Sequence, residues 1–229
     1  MNISTRLKDI ASMLDKCKNM ADIGTDHAYL PIYLIKKGIC NSAIASDINK
    51  GPVDKARINI NKEGLSEKID CRLGQGLRTI EPYEVECVVI AGMGGNLIRD
   101  IIEERKNVFK SSQYMILQPV QNPEVLRKYI YEQGYDIIDE ELSIDEEKFY
   151  EIIKVRYDNK PKKLDNIYYE ISEKLISKKH PLLNKYIAFK INKCKNILNY
   201  IEDKTEPAKK RKQEIEVKVN KLEELLLCL

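Results

Sequence analysis

The sequence predicts an α/β fold in which a mostly parallel sheet is followed by a small helical domain. Short apolar runs alternate with helical patterns through residues 1–134, which is typical of parallel sheets. Two strand-like segments then follow each other with only a short acidic turn between them. From Asp158 onward glycine is absent and apolar residues recur at helical spacing.

Five strand–helix units are predicted before the two adjacent strands. Ser4 is a suitable N-cap for a first helix, and Leu7, Ile10, Ala11 and Leu14 share one face of that helix. The predicted strands cover residues 20–24, 42–47, 69–73, 85–91 and 113–117. The predicted helices that follow cover residues 29–37, 52–62, 97–102 and 124–132.

The segments at residues 135–142 and 149–157 are predicted to form an antiparallel hairpin, because the turn SIDEE leaves no room for a crossover helix. Five strand–helix units followed by such a hairpin resemble the class I, Rossmann-like methyltransferase sheet, which has seven strands with the last one reversed. A plain nucleotide-binding fold has no need of this hairpin. We therefore expect residues 1–157 to form one domain of this class.

Residues 158–229 are predicted to form a helical domain that contains an antiparallel coiled-coil hairpin. A helix near residues 166–178 leads into two apolar stripes with alternating four- and three-residue steps. One stripe consists of Ile187, Ile191, Cys194, Leu198 and Ile201, and the other of Ile215, Val219, Leu222, Leu226 and Leu229. Between them, Thr205, Glu206 and Pro207 are typical of a turn and a helix start.

The charge of the chain is unevenly distributed. Residues 158–229 carry 17 Lys and Arg against 11 Asp and Glu, a net charge of +6, whereas residues 1–157 carry 22 against 25, a net charge of −3. A basic third on a slightly acidic body indicates a polyanionic partner, although a solvated helical hairpin has a similar composition. The candidate contacts are Lys178, Lys179, Lys209, Lys210, Arg211 and Lys212.

Composition argues against several other classes of protein. No apolar run approaches the roughly 20 residues that a membrane-spanning helix needs, and the charged N-terminal segment does not resemble a secretory signal. The six cysteines are scattered without a C-x-x-C spacing and there are two histidines, so we expect no metal site. Unpaired thiols suit a reducing compartment, and we expect a cytoplasmic protein without a membrane partner.

The most informative segment is ADIGTDHAYLPIYL, followed by IASDIN. It predicts a strand, a turn at Gly24, a helix and a second strand that ends at Asp47, where an acid binds ribose hydroxyls in doubly wound folds. The G-x-G-x-x-G pattern of dinucleotide sites is absent, and Asp26 would repel a diphosphate. Asp22 and Asp26 suit a cationic ligand that carries an amino-acid group, and S-adenosylmethionine fits this description.

Further unusual loops follow the other predicted strands and should gather at the same edge of the sheet. Gln75 is placed to accept a hydrogen bond from the adenine amino group, and the glycines of AGMGG let ligands approach the main chain. The predicted cofactor-binding residues are Asp22, Gly24, His27, Asp47, Ile48, Gln75, Gly76, Ala91, Gly92 and Met93. For His27, capping or packing is an equally good interpretation. For Met93, core packing is an equally good interpretation.

The sequence resembles the bacterial tRNA (adenine-22-N1)-methyltransferase family along its whole length. The resemblance rests on the segments STRLKDIASML, ADIGTDHAYLPIYL, GLSEKIDCRLGQGL, VVIAGMGGNLI, ILQP, YEIIKV and KKHPLLNKYI. It implies an S-adenosylmethionine-dependent enzyme that makes 1-methyladenosine in the D-loop region of tRNA. Three positions differ from the residues that are common in the family. This chain has Gln75 where many relatives have an acid or Asn, Asp47 where Glu is commoner, and Val120 where Asn often follows Gln-Pro.

The expected chemistry needs little from the protein besides alignment, because ring nitrogen 1 of adenine has a free lone pair. The product is cationic before it loses an amino proton, so Asp26 is the candidate to stabilise that charge, with Gln118 positioning the amino group. Two alternatives stay open. One is a methyltransferase for a small molecule or protein, with the hairpin as a dimerisation arm, and the other is a non-catalytic RNA-binding protein.

Overall fold

The structure, a computed structural model, describes residues 3–202 and 204–229. It divides into two compact units, one ending at Lys163 and the other beginning at Leu164. The division falls after the predicted boundary at residue 157 because the intervening segment is hydrogen-bonded to the first unit. Asn159 N donates to Gly134 O at 2.9 Å, and Lys162 N donates to Tyr131 O at 2.8 Å.

Strands and helices alternate in the first unit as the sequence predicts. The strands are β1 Cys17–Ile23, β2 Cys40–Asp47, β3 Ile69–Leu73, β4 Cys87–Gly94, β5 Tyr114–Gln121, β6 Tyr135–Asp145 and β7 Lys148–Tyr157. The helices are α1 Thr5–Ser12, α2 Tyr29–Lys36, α3 Lys50–Lys62, α4 Gly95–Glu104, α5 Lys106–Ser111 and α6 Pro123–Glu132. Helix α5 was not predicted, since its six residues are too few to show a helical period.

The strands form a seven-stranded sheet in the order β3-β2-β1-β4-β5-β7-β6. Strands β1 to β5 run parallel, and β7 lies antiparallel between β5 and β6. This confirms the predicted Rossmann-like, seven-stranded sheet with a reversed strand. Because the chain passes from β1 to β2 and β3 and then returns to β4 on the other side of β1, the topological switch point lies between β1 and β4.

The centre of the sheet is apolar on both faces, as expected where helices cover a parallel sheet. Strands β4 and β5 are fully buried along residues 87–90 and 115–118. The reversed hairpin is joined to α6 by Arg127, which is 0% exposed and forms ion pairs with Glu140 at 2.8 Å and with Glu151. A buried arginine needs such partners because an unpaired charge in the interior is strongly unfavourable.

The second unit contains the helices α7 Asn166–Glu170, α8 Glu173–Ser177, α9 Leu183–Leu198 and α10 Glu206–Leu227. The single helix predicted near residues 166–178 is interrupted, because Ser172 adopts an extended conformation and caps α8 by accepting from Lys174 N at 3.1 Å. Helix α10 begins where predicted, with Thr205 as the N-cap that accepts from Ala208 N.

The two apolar stripes are buried along part of their length. Helices α9 and α10 pack against each other, with Ile187, Ile191, Ile215, Val219 and Leu222 buried. The outer positions are half-buried at Cys194, Leu198 and Leu226, and Leu229 is exposed. A coiled-coil geometry for this pair therefore stays a prediction.

A polar cluster also joins the helices of the second unit. Glu170 on α7 is buried and pairs with Lys190 on α9 at 2.9 Å and with Lys218 on α10. Burial opposes ionisation of Glu170, but the two lysines outweigh it and hold its pKa below the usual value. Both lysines are half-buried, so they belong to the packing of the unit.

Candidate functional site

The carboxyl ends of β1, β2 and β4 meet at one edge of the sheet. Ile23 is paired with Ser46 on one side and with Ile90 on the other, so the turn after β1 lies between the ends of the two neighbouring strands. The structure thereby brings the predicted residues near Gly24, Asp47 and Ala91 together. This is the crevice in which ligands bind to open α/β sheets.

The turn after β1 depends on glycine. Gly24 has φ +75°, and a Cβ at this position would lie 2.1 Å from Met93 Cε. Gly24 N and Thr25 N both donate to Ser46 O at 2.8 Å, which ties the turn to β2. The missing side chain therefore allows the β1 turn and the loop after β4 to approach closely. Met93 is half-buried, with its side chain over Gly24, so it is not part of the core, and its packing against adenine stays a prediction.

Asp22 is the most perturbed acid of the site. It is 8% exposed, and burial raises its pKa to about 6 from an ordinary 3.8, with Thr25 and Arg6 opposing the rise and Asp47 adding to it. Thr25 Oγ1 is buried too, and apart from its interaction with the Asp22 carboxyl it has no hydrogen-bond partner within the described residues. Two adjacent buried polar groups with so few protein partners are typical of a ligand-binding pocket.

The segment after Thr25 has a strained backbone. His27 and Ala28 have φ values of 62° and 56°, in a region that costs a non-glycine residue roughly 1–2 kcal/mol. Asn59 Nδ2 holds the segment by donating to His27 O at 3.0 Å. The His27 ring stacks on Tyr29 at 5.1 Å, and its Nε2 lies 3.1 Å from Asp26 Oδ1. The Asp26 side chain is 78% exposed at the mouth of the site.

Asp47 has one carboxylate oxygen available for a ligand. Its Oδ1 accepts from Asn49 N at 2.7 Å, whereas Oδ2 has no hydrogen-bond partner among the residues that the structure describes. Ile48, which follows it, is 61% exposed. A half-buried carboxylate held by its own turn, beside an exposed apolar side chain, suits recognition of a ribose and the adjoining base.

The predicted adenine position lies after β3. Gln75 is exposed at the N-cap of a short 3-10 helix, Gly76–Thr79, so its amide can turn towards a ligand. Gly76 has φ +49°, and a Cβ there would lie 3.0 Å from Ile101 of α4. Gln75, Leu97 and Ile101 line one surface groove with acids of α4. This groove combines apolar walls with a polar amide.

The loop predicted after β4 is instead an irregular continuation of that strand. Ala91 is paired with Gln118 and Met93 with Pro119, so Gly92 between them forms a β-bulge with φ +78°. Gly92 is exposed, and its N–H donates to Gln118 Oε1 at 3.1 Å. The bulge turns Met93 towards Gly24 and leaves the main chain at Gly92 open to a ligand.

Gln118 makes internal contacts that differ from its predicted contact with the target adenine. Its side chain is 0% exposed, Oε1 accepts from Arg6 Nη1 at 2.7 Å and from Gly92 N, and Nε2 donates to Pro119 O at 3.0 Å. In this arrangement Gln118 supports the Gly92 bulge from behind. A contact between Gln118 and the target base stays a hypothesis.

Sequence reasoning missed Arg6 and Thr25. Thr25 lies inside the segment ADIGTDHAYL and could have been found from its position beside Gly24. Arg6 lies on α1, and 112 positions separate it from its partner Gln118, so no local pattern indicates that it reaches the site.

The candidate polyanion contacts lie in the second unit. Lys178 and Lys179 follow α8 and are exposed, and the basic run at residues 209–212 lies in the first turns of α10. Two members of this run have acidic neighbours on the same helix: Lys209 pairs with Glu206 at 2.8 Å, and Arg211 lies 3.7 Å from Glu214. Lys210 is exposed.

The described residues contain no group of three or more His, Cys, Asp or Glu side chains that could hold a metal ion. In the same part of the chain, none of the helices has the length and apolar character needed to cross a membrane.

The seven-stranded sheet with antiparallel β7, together with acids at the ends of β1 and β2, defines a Rossmann-like class I methyltransferase. A family model for tRNA (adenine(22)-N(1))-methyltransferase matches residues 20–224. The chain belongs to this family.

Individual relatives agree with this assignment. The tRNA (adenine(22)-N(1))-methyltransferase of Bacillus subtilis (strain 168) is 37% identical over 153 residues, which are 67% of this chain and 64% of that protein. Sp1610 of Streptococcus pneumoniae, solved in complex with S-adenosyl-L-methionine, has 32% identity and a TM-score of 0.87, with 98% of this chain and 100% of that one covered. TrmK of M. capricolum, solved with S-adenosyl-homocysteine, has 28% identity and a TM-score of 0.82, with 98% and 97% covered.

Proposed function

We propose that this chain transfers the methyl group of S-adenosylmethionine to ring nitrogen 1 of adenosine 22 in tRNA. The observation that carries the proposal is the family match over residues 20–224, which extends across both units. The site supports it, because the acids and glycines that the chemistry needs lie together at the carboxyl edge of the sheet.

The residues of the site fit S-adenosylmethionine. The Asp22 carboxylate and the adjacent buried Thr25 hydroxyl suit the ammonium group of the methionine moiety. The free oxygen of Asp47 suits a ribose hydroxyl, and Gln75 suits the adenine amino group. The bulge at Gly92 has no side chain to block the space between them. When bound, this cofactor supplies an electrophilic methyl group.

The chain's own residues then have to align the target base. Adenine nitrogen 1 attacks without a general base, so positioning accounts for most of the catalysis. The attacking adenine ring becomes cationic when it takes the methyl group, and the exposed Asp26 carboxylate is the candidate to stabilise that charge. This base edge is engaged in folded tRNA, so the base must flip out or the local structure must open.

The second unit is proposed to bind tRNA. Its residues 164–229 carry 14 Lys and Arg against 10 Asp and Glu, a net charge of +4 that suits phosphate contacts, which add affinity without sequence information. The candidate contacts are Lys178, Lys179, Lys209, Lys210, Arg211 and Lys212.

We place the reaction in the cytoplasm. All six cysteines are free, as suits a compartment that keeps thiols reduced.

The test is methylation of unmodified tRNA by the purified chain, followed by nuclease digestion and mass analysis. We expect 1-methyladenosine at position 22, and no product from a tRNA with guanosine at that position. Asp47→Ala should weaken S-adenosylmethionine binding by about 1–3 kcal/mol, the usual cost of losing a charged hydrogen-bond partner. A product at another nucleotide, or none at all from a chain that binds the cofactor, would overturn the proposed substrate.

A further inference from the structure

Three cysteines gather at the amino edge of the sheet, opposite the edge that carries the site. Cys17, Cys40 and Cys87 are the first residues of β1, β2 and β4, which are neighbouring strands. Cys87 Sγ donates to Cys17 Sγ at 3.7 Å, and the Cys40 thiol donates to the same sulfur. The Cys17 sulfur therefore accepts from two thiols, and the three side chains form a thiol cluster.

The members of the thiol cluster differ in their access to solvent. Cys17 is half-buried, whereas Cys40 is 2% exposed and Cys87 is 0% exposed. A small solute therefore reaches Cys17 first, and the two buried thiols react only through it. An accessible thiol in contact with a second thiol is the arrangement found in redox-sensitive cysteines.

Cys17 is also the member of the thiol cluster that ionises most readily. Hydrogen bonds from Cys40 and Cys87 lower the pKa of Cys17, and they outweigh burial and the nearby Asp15 carboxylate, which act in the opposite direction. The same bonds raise the pKa of the two donor thiols. Because the thiolate is the nucleophilic form of cysteine, nucleophilic character is concentrated on the one accessible sulfur.

The register of the sheet decides which neighbour can form a bond with Cys17. Cys17 and Cys40 are register partners in the parallel pair of β1 and β2, and neighbouring strands lie about 4.8 Å apart. This spacing falls within the roughly 4.4–6.8 Å that separate the Cα atoms of a disulfide. Cys87 is instead in register with Met20, three residues beyond Cys17, so its Cα lies further away although the two sulfurs are close.

We propose that Cys17 is a modification site for hydroperoxides and that Cys40 resolves the oxidised sulfur as a disulfide. In the first step the Cys17 thiolate attacks one oxygen of hydrogen peroxide, the O–O bond breaks and hydroxide leaves, which makes Cys17 a sulfenic acid. In the second step the Cys40 sulfur attacks the Cys17 sulfur. The S–S bond forms, the S–O bond breaks, and the hydroxyl leaves as water with the proton of Cys40. The two sulfurs together lose two electrons, and the peroxide gains them.

The disulfide joins β1 to β2 at the ends that lie away from the cofactor site. Gly24 follows the other end of β1, and Asp47 is the last residue of β2. The modification therefore goes beyond the proposed function and uses none of its residues. Disulfides of intracellular proteins are usually transient and redox-sensing, and a thiol reductant should restore both cysteines.

The test is treatment of the purified chain with hydrogen peroxide, followed by alkylation of the remaining thiols, proteolysis and mass analysis. We expect Cys17 and Cys40 to lose alkylation together and to appear as one linked pair of peptides, which dithiothreitol separates. Cys71 is the internal control, because it is also half-buried, burial raises its pKa, and within the described residues no thiol donates a hydrogen bond to it. It should react at least about tenfold more slowly, since an ordinary thiol is only a few per cent ionised at neutral pH.

Two variants separate the roles of the two cysteines. Cys40→Ser should leave Cys17 reactive but stop the reaction at the sulfenic acid, which dimedone traps. Cys17→Ser should protect Cys40, because the buried thiol then has no oxidised neighbour to attack. Circular dichroism shows whether both variants are folded, and the peptide map of the unmodified chain needs neither of them.

The inference is overturned if Cys17 stays available for alkylation, if Cys71 is oxidised as fast, or if Cys17 is joined to Cys87 instead. Oxidation of Cys40 at an unchanged rate in Cys17→Ser equally contradicts it. Disulfides between chains through the exposed Cys228, with Cys17 unmodified, would show that only surface oxidation occurs. None of these results involves tRNA or S-adenosylmethionine, so they are separable from a failure of the proposed function.

Discussion

Asp22 links ligand binding to the stability of the fold. Burial raises its pKa from 3.8 to about 6, so between these values the folded state binds a proton that the unfolded state releases. The contribution of Asp22 to the free energy of unfolding therefore rises as pH falls from 7 towards 4, and keeping Asp22 ionised at neutral pH costs about 2–3 kcal/mol. A bound ammonium group would offset this cost.

We predict that Asp22→Asn stabilises the ligand-free protein by about 1–3 kcal/mol at pH 8, because the neutral amide avoids the desolvation of a carboxylate. The gain should fall to about half at pH 5, because Asp22 of the unfolded chain is still ionised there, and should disappear only below about pH 4. Denaturant unfolding at both pH values measures this. The same variant should bind S-adenosylmethionine more weakly.

The matched control is Glu67→Gln, which neutralises an exposed carboxylate and should change stability little at either pH. A stability gain for Asp22→Asn that is the same at pH 5 and pH 8 would contradict a raised pKa.

At the scale of elements, the junction between β4 and α4 is packed tightly against a neighbouring backbone. A Cβ at Gly95 would lie 2.3 Å from Asn122 O, a backbone atom that cannot turn aside as a side chain can. The preceding Gly94 has φ −66°, which any residue adopts, and no heavy atom lies within 4 Å of a Cβ there. Two neighbouring glycines in AGMGG therefore have different roles.

We predict that Gly95→Ala destabilises the protein by about 1–3 kcal/mol, the usual cost of overpacking a rigid site. Gly94→Ala should be neutral or stabilising by up to about 1 kcal/mol, because alanine restricts the unfolded chain. Thermal unfolding of both variants tests the difference. Equal effects of the two substitutions would show that the close approach of Asn122 O does not constrain the junction.

At the scale of the whole molecule, charge and chemistry are divided between the two units. The perturbed acid, the bulge and the strained turn lie in the first unit, and the excess of basic residues lies in the second. Phosphate contacts made at a distance from the reacting atoms act mainly on binding. They also make affinity fall steeply with salt.

Reversing the charges at Lys209, Lys210, Arg211 and Lys212 to Glu should therefore raise the KM for tRNA by about tenfold or more while kcat changes little. The dependence of KM on salt should also become shallower. Initial rates of methylation at several tRNA and salt concentrations measure both effects.

A matched control reverses Lys16, Lys18, Lys37 and Lys68, which are exposed residues of the first unit near the amino ends of its strands. It makes the same change in net charge and should leave the KM for tRNA nearly unchanged. If both quartets raise KM equally, net charge rather than a localised tRNA-binding surface is responsible. An unchanged KM for the α10 quartet would remove the proposed role of that run.

The sequence by itself determined the order of the elements and the edge of the sheet where ligands bind. Hydrophobic periodicity located every strand, because burial imposes a period on local residues. The acid after β2 and the glycine after β1 marked the site, because their roles depend on position within one strand–turn–helix unit. Boundaries were less certain: β4 extends through Gly94, since pairing with β5 continues past the glycines.

Only the tertiary structure decided which residues meet across the sheet. Arg6 reaches Gln118 across 112 positions, and Gln118 in turn supports Gly92. At the opposite edge the Cys17 and Cys87 sulfurs lie 3.7 Å apart, although the sequence showed scattered cysteines. Such contacts leave no local period, because strand order and packing between distant segments create them. The same reasoning explains the pKa of Asp22, which burial sets and which no neighbour in the sequence reveals.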